Sequence, residues 1–208
     1  FTSPINVAIP SGNFGNAYSA WFGRSNGLPV NKILCSTNVN DVLRRFIETG
    51  ELAPEMTLPS VAPSMDIQIP SSLERLIFDF TDGAYAFYDA LLKENKAKLS
   101  EDHITQLNHI FSSTTFLDDD IKSEIKSLYE KFGSIFDPHS VTSIRMALDN
   151  QDSVPTVAVA TASPEKFSNV IAPLIETSSE VEIDDKEEYL KLENDNFAIS
   201  ESIKAYFS

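Results

Sequence analysis

Two short apolar runs alternate with two helix-like patterns in the first fifty residues. Residues 5–10 are mostly apolar and predict a buried strand, and residues 32–36, with the apolar run Ile33–Cys35, predict a second, short strand. Apolar positions spaced for one helix face follow each run, which predicts helices over 15–27 and from 41 to a stop at Gly50. Strand, helix, strand and helix in this order predict an α/β unit built on a parallel sheet.

The pattern changes between residues 52 and 136. Four prolines interrupt residues 52–70, which are therefore predicted to be an irregular connector. From residue 84 onward, apolar residues recur at spacings of three and four, as in Ile104–Phe111 and Ile121–Ile135. Residues 84–136 are accordingly predicted to be an all-helical insertion in the α/β pattern.

The α/β pattern resumes at Asp137. Residues 156–160 form an apolar run that predicts a strand buried on both faces of a parallel sheet. Ser163 and Pro164 then offer a cap and a first helical position. The sequence thus predicts an α/β segment over 1–83, a helical insertion over 84–136, and a second α/β segment over 137–208 with an acidic end.

The polar loop Ser11–Asn16 is the main candidate for binding chemistry. It follows the first strand and opens the first helix, and it contains two glycines. Glycine allows close approach of the backbone to a ligand, and the N–H groups of a helix N-terminus attract anions. The loop lacks the residues of a P-loop or a dinucleotide fingerprint, so a phosphate cradle and an ordinary turn both remain open.

Other potentially reactive residues are few. The three histidines show no metal-ligand spacing and no Ser/His/Asp arrangement; His139 is the best site candidate because it lies where the α/β pattern resumes. Asn38 and Asn40 are candidate helix caps. Cys35, the single cysteine, lies in an apolar run, which excludes an internal disulfide and indicates an inert core residue in a reducing compartment.

Charge and length narrow the class of protein further. The formal net charge of −15 argues against nucleic acid and anionic membranes as partners, and no apolar run is long enough to predict a membrane span. The nine acidic residues within 177–208 are interpreted as a solvated surface. The chain opens directly on a strand pattern without a start methionine, so it is expected to be a piece of a longer protein.

Residues 9–16 resemble the phosphate loop of threonine synthases. The resemblance continues in the same order through Gly27–Val30, Thr37–Asp41, Ala62–Ile67, Asp137–His139 and Ala160–Phe167. It covers roughly residues 4–170 and is to the C-terminal portion of the longer, bacterial- and fungal-type branch of the family.

The resemblance implies a fold-type II pyridoxal-phosphate (PLP) enzyme of the cytoplasm that converts O-phospho-L-homoserine and water to threonine and phosphate. It places Thr161 against the pyridine nitrogen of the cofactor, and it makes Ser11 and His139 candidates for substrate contact. The cofactor phosphate would lie in the loop, in contact with Gly12, Asn13, Phe14, Gly15 and Asn16.

One departure from the family affects the expected activity. None of the eleven lysines has the setting of the family's Schiff-base lysine, which would precede Phe1, and Lys166 belongs to a different motif. No catalytic residue is therefore assigned, and the chain is expected to be inactive without the N-terminal half. Two alternatives remain: another fold-type II lyase, such as a serine/threonine dehydratase or cysteine synthase, and a non-catalytic relative that binds a phosphorylated metabolite or a protein.

Overall fold

The computed structural model of the chain describes residues 3–81, 83–151 and 153–175, so the predicted acidic end lies outside the described residues. The strands are β1 (Ile5–Pro10), β2 (Val30–Thr37), β3 (Glu51–Leu52), β4 (Ala97–Lys98), β5 (Phe111–Thr115) and β6 (Thr156–Ala158). The helices are α1 (Gly15–Ser25), α2 (Val42–Thr49), α3 (Leu73–Thr81), α4 (Tyr85–Glu94), α5 (Glu101–Ile110), α6 (Asp118–Phe132), α7 (Ser140–Asp149) and α8 (Ser168–Ile171), with 3₁₀ turns at Pro63–Met65 and Pro164–Phe167.

The main sheet has four parallel strands in the order β5-β2-β1-β6. Ala8 is in register with Leu34 on one side and with Ala158 on the other. Because all four strands run the same way, the loops that follow them meet at one edge of the sheet. This confirms the predicted α/β class with a parallel sheet flanked by helices.

Helices cover the sheet on both faces, and side chains of successive strand residues alternate between them. Ile9, Ile33 and Cys35 belong to the apolar cluster that includes residues of α1 to α5. Ala8 and Leu34 point the other way, into the cluster formed with α6, α7 and α8. Both faces of β1 and β2 are therefore covered by apolar core.

The prediction that residues 84–136 are all helical is wrong at two places. Strand β4 pairs antiparallel with β3, and β5 joins the main sheet beside β2, with Phe111 opposite Ile33. Phe111 shares a helix-like spacing with Ile104, but the following Ser-Ser-Thr-Thr contains β-branched residues and no strong helix former. The extended backbone of Phe111 ends α5. The limits of the proposed insertion remain a prediction.

The predicted burial of the last strand on both faces is also wrong. β6 is shorter than expected, and the side chain of Val157 is 42% exposed. Among the described residues, β6 has a neighbouring strand, β1, on one side only. An apolar groove of about 340 Å³ lies beside it, lined by residues that include Val7, Ala20, Leu28 and Val159. No helix in the described part of the chain is long and apolar enough to cross a bilayer.

Candidate functional site

A cavity of about 300 Å³ opens at the carboxyl ends of β1 and β6. Helix α1 packs on one face of the sheet there and α7 on the other, which makes this a switch point of the kind where open α/β sheets bind ligands. The residues that line the cavity are Pro10, Gly12, Asn13, Phe14, Gly15, Asn16, Ser64, Met65, His139, Thr161 and Ala162.

Phe14 gives the loop before α1 its unusual backbone. Its φ of 70° and ψ of 8° lie in the left-handed region, which is uncommon for a residue other than glycine. The ring is only 2% exposed and packs 5.7 Å from the ring of Phe111, centroid to centroid. A backbone conformation of this kind costs about 1–3 kcal/mol, and it persists where packing enforces it, commonly at binding sites.

Neither glycine of the loop has a positive φ, which Phe14 adopts instead, and only Gly12 is required for close approach. A Cβ on Gly12 would lie 2.7 Å from the carbonyl oxygen of Ser64 and 3.1 Å from Cα of Met65. A Cβ on Gly15 would meet only Ser72 Oγ, at 3.8 Å. Gly12 therefore lets the loop touch the opposite wall, while Gly15 leaves the first turn of α1 uncovered.

The electrostatic character of the cavity comes from backbone dipoles. The first N–H to bond within α1 is that of Tyr18, to the carbonyl of Phe14 at 2.9 Å. The preceding N–H groups of Gly15, Asn16 and Ala17 have no acceptor within the helix. No lysine or arginine lies among the described lining residues. Attraction for an anion would therefore come from these amides and the positive end of the helix dipole.

Asn13 ties the loop to the start of α3. Its carbonyl accepts from the N–H of Ser72 at 2.9 Å, and its Oδ1 accepts from the N–H and hydroxyl of Ser71 at 3.4 and 3.3 Å. The side chain of Asn16 is exposed at the mouth of the cavity. Both asparagines thus line the cavity, and their contact with a ligand stays a prediction.

The connector 52–70 forms the opposite wall and is held by a buried amide network. Asn38 Nδ2 donates to Ser60 Oγ and Asp66 Oδ1 at 2.7 and 2.6 Å, and Asn40 Nδ2 donates to Asp66 Oδ1 at 3.0 Å. The prediction that the asparagines cap α2 is wrong, because Asp41 is its N-cap residue. A polar side chain just after a buried strand signals such loop bonding as readily as capping.

Asp137, His139 and Ser140 form a buried cluster at the start of α7. The Asp137 carboxylate accepts from His139 Nδ1 at 2.7 Å, from the N–H of His139 at 2.9 Å and from the Ser140 hydroxyl. Burial by itself would raise the pKa of Asp137, but the hydrogen bonds from His139 and Ser140 lower that pKa below its ordinary value.

This Asp137–His139–Ser140 cluster reaches two other walls of the cavity. The Nε2 atom of His139 accepts from the backbone N–H of Ser64 at 3.1 Å, and Ser140 Oγ accepts from the backbone N–H of Thr161 at 2.9 Å. The sequence identified His139 but missed the roles of Ser64 and Ser140. The role of Ser140 could have been predicted from the aspartate three residues before it at the start of a helix. No feature of the sequence predicts the role of Ser64.

The cavity brings together seven of the eight site residues predicted from the sequence, and Ser11 is the exception. Its hydroxyl is buried beneath the loop and donates to the carbonyl of Ile9 at 3.1 Å. This position does not support the predicted contact of Ser11 with substrate. Thr161 is exposed at the cavity. Cys35 is fully buried, and burial raises the pKa of its thiol to about 12, as suits an inert core residue.

Comparison with known proteins identifies relatives along most of the described chain. The chain is 32% identical over 173 residues to the threonine synthase of Pseudomonas aeruginosa, covering 80% of this chain. It superposes on the crystal structure of PLP-bound threonine synthase from Brucella melitensis with a TM-score of 0.81 and 28% identity, covering 86% of this chain. This chain is a relative of threonine synthases. It is also 31% identical over 178 residues to human threonine synthase-like 1, covering 82% of this chain.

The similarity to threonine synthases concerns only part of those proteins. The chain spans 37% of the Pseudomonas protein, 40% of the Brucella chain and 24% of the human protein. No protein-family model matches the chain. The α/β fold and the similarity to threonine synthases are therefore shown for a part of those proteins only. The activity of a whole protein is a separate matter.

Proposed function

We propose that this chain forms the phosphate-binding side of a PLP site in an enzyme that converts O-phospho-L-homoserine and water to L-threonine and phosphate. The observation that carries the proposal is the loop 12–16. The left-handed Phe14 precedes the first turn of α1, which has no side-chain cap, and residues 12–16 line a cavity at the carboxyl edge of the sheet. The similarity to a PLP-bound threonine synthase supports the choice of cofactor.

The donor groups of the cavity fit such a cofactor. A phosphate ester suits the amides of Gly12–Asn16, which need no cationic side chain. The Thr161 hydroxyl is proposed to meet the pyridine nitrogen; as a weak partner it leaves that nitrogen unprotonated, unlike an aspartate. When bound, PLP supplies an electron sink for bonds broken at the amino acid's carbons. The residues of this chain hold the phosphate and orient the ring.

Proton transfer is proposed to depend on polypeptide beyond this chain. None of the described residues that line the cavity is a lysine, and both ring nitrogens of His139 are engaged in hydrogen bonds. We therefore propose that a lysine of an N-terminal half supplies the covalent attachment and the base, and that these 208 residues alone do not turn over substrate. The single cysteine, buried and without a disulfide partner, supports a reducing, cytoplasmic location.

A second candidate is a non-catalytic relative that binds a phosphorylated metabolite at the same loop. The observation in its favour is that the described cavity offers anion-binding amides but no lysine to bind a cofactor covalently. The two candidates share the phosphate site, and they differ in whether phosphate is released from the substrate.

Two measurements test the proposal. The chain should bind pyridoxamine 5′-phosphate, which lacks the aldehyde that reacts with surface lysines, and it should bind pyridoxamine without phosphate far more weakly. In the longer protein that contains this chain, O-phospho-L-homoserine should yield inorganic phosphate and threonine. Equal binding of the two pyridoxamine probes would contradict the cradle, and binding without phosphate release from the longer protein would favour the non-catalytic relative.

A further inference from the structure

The Asp137–His139–Ser140 cluster is the point where three separate segments of the cavity wall are joined. His139 accepts a hydrogen bond from Ser64 of the connector, and Ser140 accepts one from Thr161, which follows β6. The Asp137 carboxylate accepts hydrogen bonds from the side chains of His139 and Ser140. The imidazole is 3% exposed and packs edge-on against Phe167 at 4.7 Å. Its position is thus fixed from several directions.

The partners of the ring define the protonation state of His139. A backbone N–H can only donate, so the Nε2 atom that faces Ser64 at 3.1 Å must carry a lone pair. The Nδ1 atom lies 2.7 Å from the Asp137 carboxylate and therefore carries the proton. His139 is a neutral imidazole of one defined tautomer, and neither nitrogen is available to a ligand.

The bond to Ser64 fixes the distance between the two walls of the cavity. The carbonyl of this same Ser64 lies against Gly12, and the neighbouring Met65 backbone is nearly as close. A shift of the Ser64 backbone would therefore move the surface on which the loop 12–16 rests. The lone pair of His139 accepts from the N–H of Ser64 and so holds this residue, whose carbonyl faces Gly12.

We propose that His139 is a positioning residue, whose Nε2 atom fixes the Ser64–Met65 wall against the loop 12–16 so that the loop amides keep their binding geometry. The inference rests on the proposed phosphate site. It assigns His139 a role through the backbone of Ser64, in place of the substrate contact suggested by sequence.

Two substitutions of similar size separate this role from simple packing. In His139→Gln the amide oxygen takes the place of Nε2 and can still accept from Ser64. In His139→Asn the amide nitrogen takes the place of Nδ1, so the bond to Asp137 is kept and the acceptor for Ser64 is lost. Urea unfolding of both variants shows whether each is folded and comparably stable.

The binding readout is the affinity for pyridoxamine 5′-phosphate. His139→Gln should bind within about twofold of the original chain, and His139→Asn should bind about three- to tenfold more weakly, the range expected for loss of one hydrogen bond. Equal weakening in both variants, or none in either, would overturn the proposal.

A second readout does not depend on any ligand. Hydrogen exchange of the Ser64 amide should be faster in His139→Asn than in the other two proteins, and the ¹⁵N spectrum of His139 should show an unprotonated Nε2. A protonated Nε2 at neutral pH, or unchanged Ser64 exchange, would overturn the positioning role. If the original chain fails to bind the probe while these two signatures are observed, the proposed cofactor site is wrong and the positioning of the wall stands.

Discussion

Replacing Gly12 with alanine is predicted to damage the site because the added methyl group would collide with backbone atoms. The new Cβ would lie 2.7 Å from the carbonyl oxygen of Ser64, where ordinary contact begins at 3.4 Å. The two walls would have to separate by about 0.7 Å to relieve this contact. Cα of Met65 and Cδ1 of Ile67, each at 3.1 Å, add further crowding.

The connector has little freedom to move away. The N–H of Ser64 is held by His139, and Met65 is 3% exposed with its N–H bonded to the carbonyl of Ala62 at 3.0 Å. Forcing an additional carbon into such packing typically costs about 1–3 kcal/mol. We expect Gly12→Ala to lower the free energy of unfolding by this amount, and to weaken binding of pyridoxamine 5′-phosphate because the loop shifts.

Urea unfolding, followed by the fluorescence of Trp21, the single tryptophan, measures the first effect. Gly15→Ala is the matched control for stability, because its Cβ would meet only Ser72 Oγ at 3.8 Å and its φ is ordinary. Alanine in the first turn of a helix should be neutral or stabilising by up to about 1 kcal/mol. If the two variants unfold at the same urea concentration and Gly12→Ala binds the probe normally, the close contact of the two walls is wrong.

Further substitutions and conditions test other parts of the site. Asn13→Ala should weaken binding of pyridoxamine 5′-phosphate and lower stability only slightly, since the residue is exposed and its side-chain bonds to Ser71 are long, at 3.4 and 3.3 Å. Unchanged affinity in a fluorescence titration would contradict this. Thr161→Asp should alter the absorbance of bound PLP in the longer protein, and an identical spectrum would remove its proposed contact with the ring. Folding lowers the pKa of Asp137, so this carboxylate stabilises the folded chain at pH values above its unfolded pKa of about 3.9. That stabilisation is lost as the pH falls through the lower, folded pKa. The urea midpoint should therefore fall less steeply toward low pH in Asp137→Asn than in the original chain. Cys35 should resist thiol reagents at pH 8 until urea unfolds the chain, and rapid modification of the folded protein would contradict its burial.

The sequence predicted secondary structure correctly where the local residue pattern agreed with the tertiary fold. The largely apolar segments of β1 and β2 are mostly buried, as their composition predicts for strands of a parallel sheet. Gly50 ends α2 with a φ of 71°, as a glycine after the last helical residue predicts. The loop 12–16 was found for the same reason, because it lies between two strongly patterned elements.

Features that depend on long-range packing were missed. The segment after Ile110 pairs with β2 although Phe111 shares a helix-like spacing with Ile104, so tertiary pairing decided its structure. Ser64 matters through its main chain, to which its side chain gives no clue. Asn38 carries the residue type of a helix cap, yet its side-chain nitrogen donates to partners more than twenty residues away. Contacts of this kind cannot be deduced from local patterns.

The ring of Phe14 lies against a strand that begins almost a hundred residues later, at Phe111. A short peptide copied from this loop would have nothing to keep it in its left-handed shape and should be inert toward phosphate esters. A sequence search with the motif Gly-Asn-Phe-Gly-Asn alone will therefore also find turns that bind no phosphate. Requiring in addition an aromatic residue at the start of the distant strand is more selective, because such chains can hold the loop in its left-handed conformation.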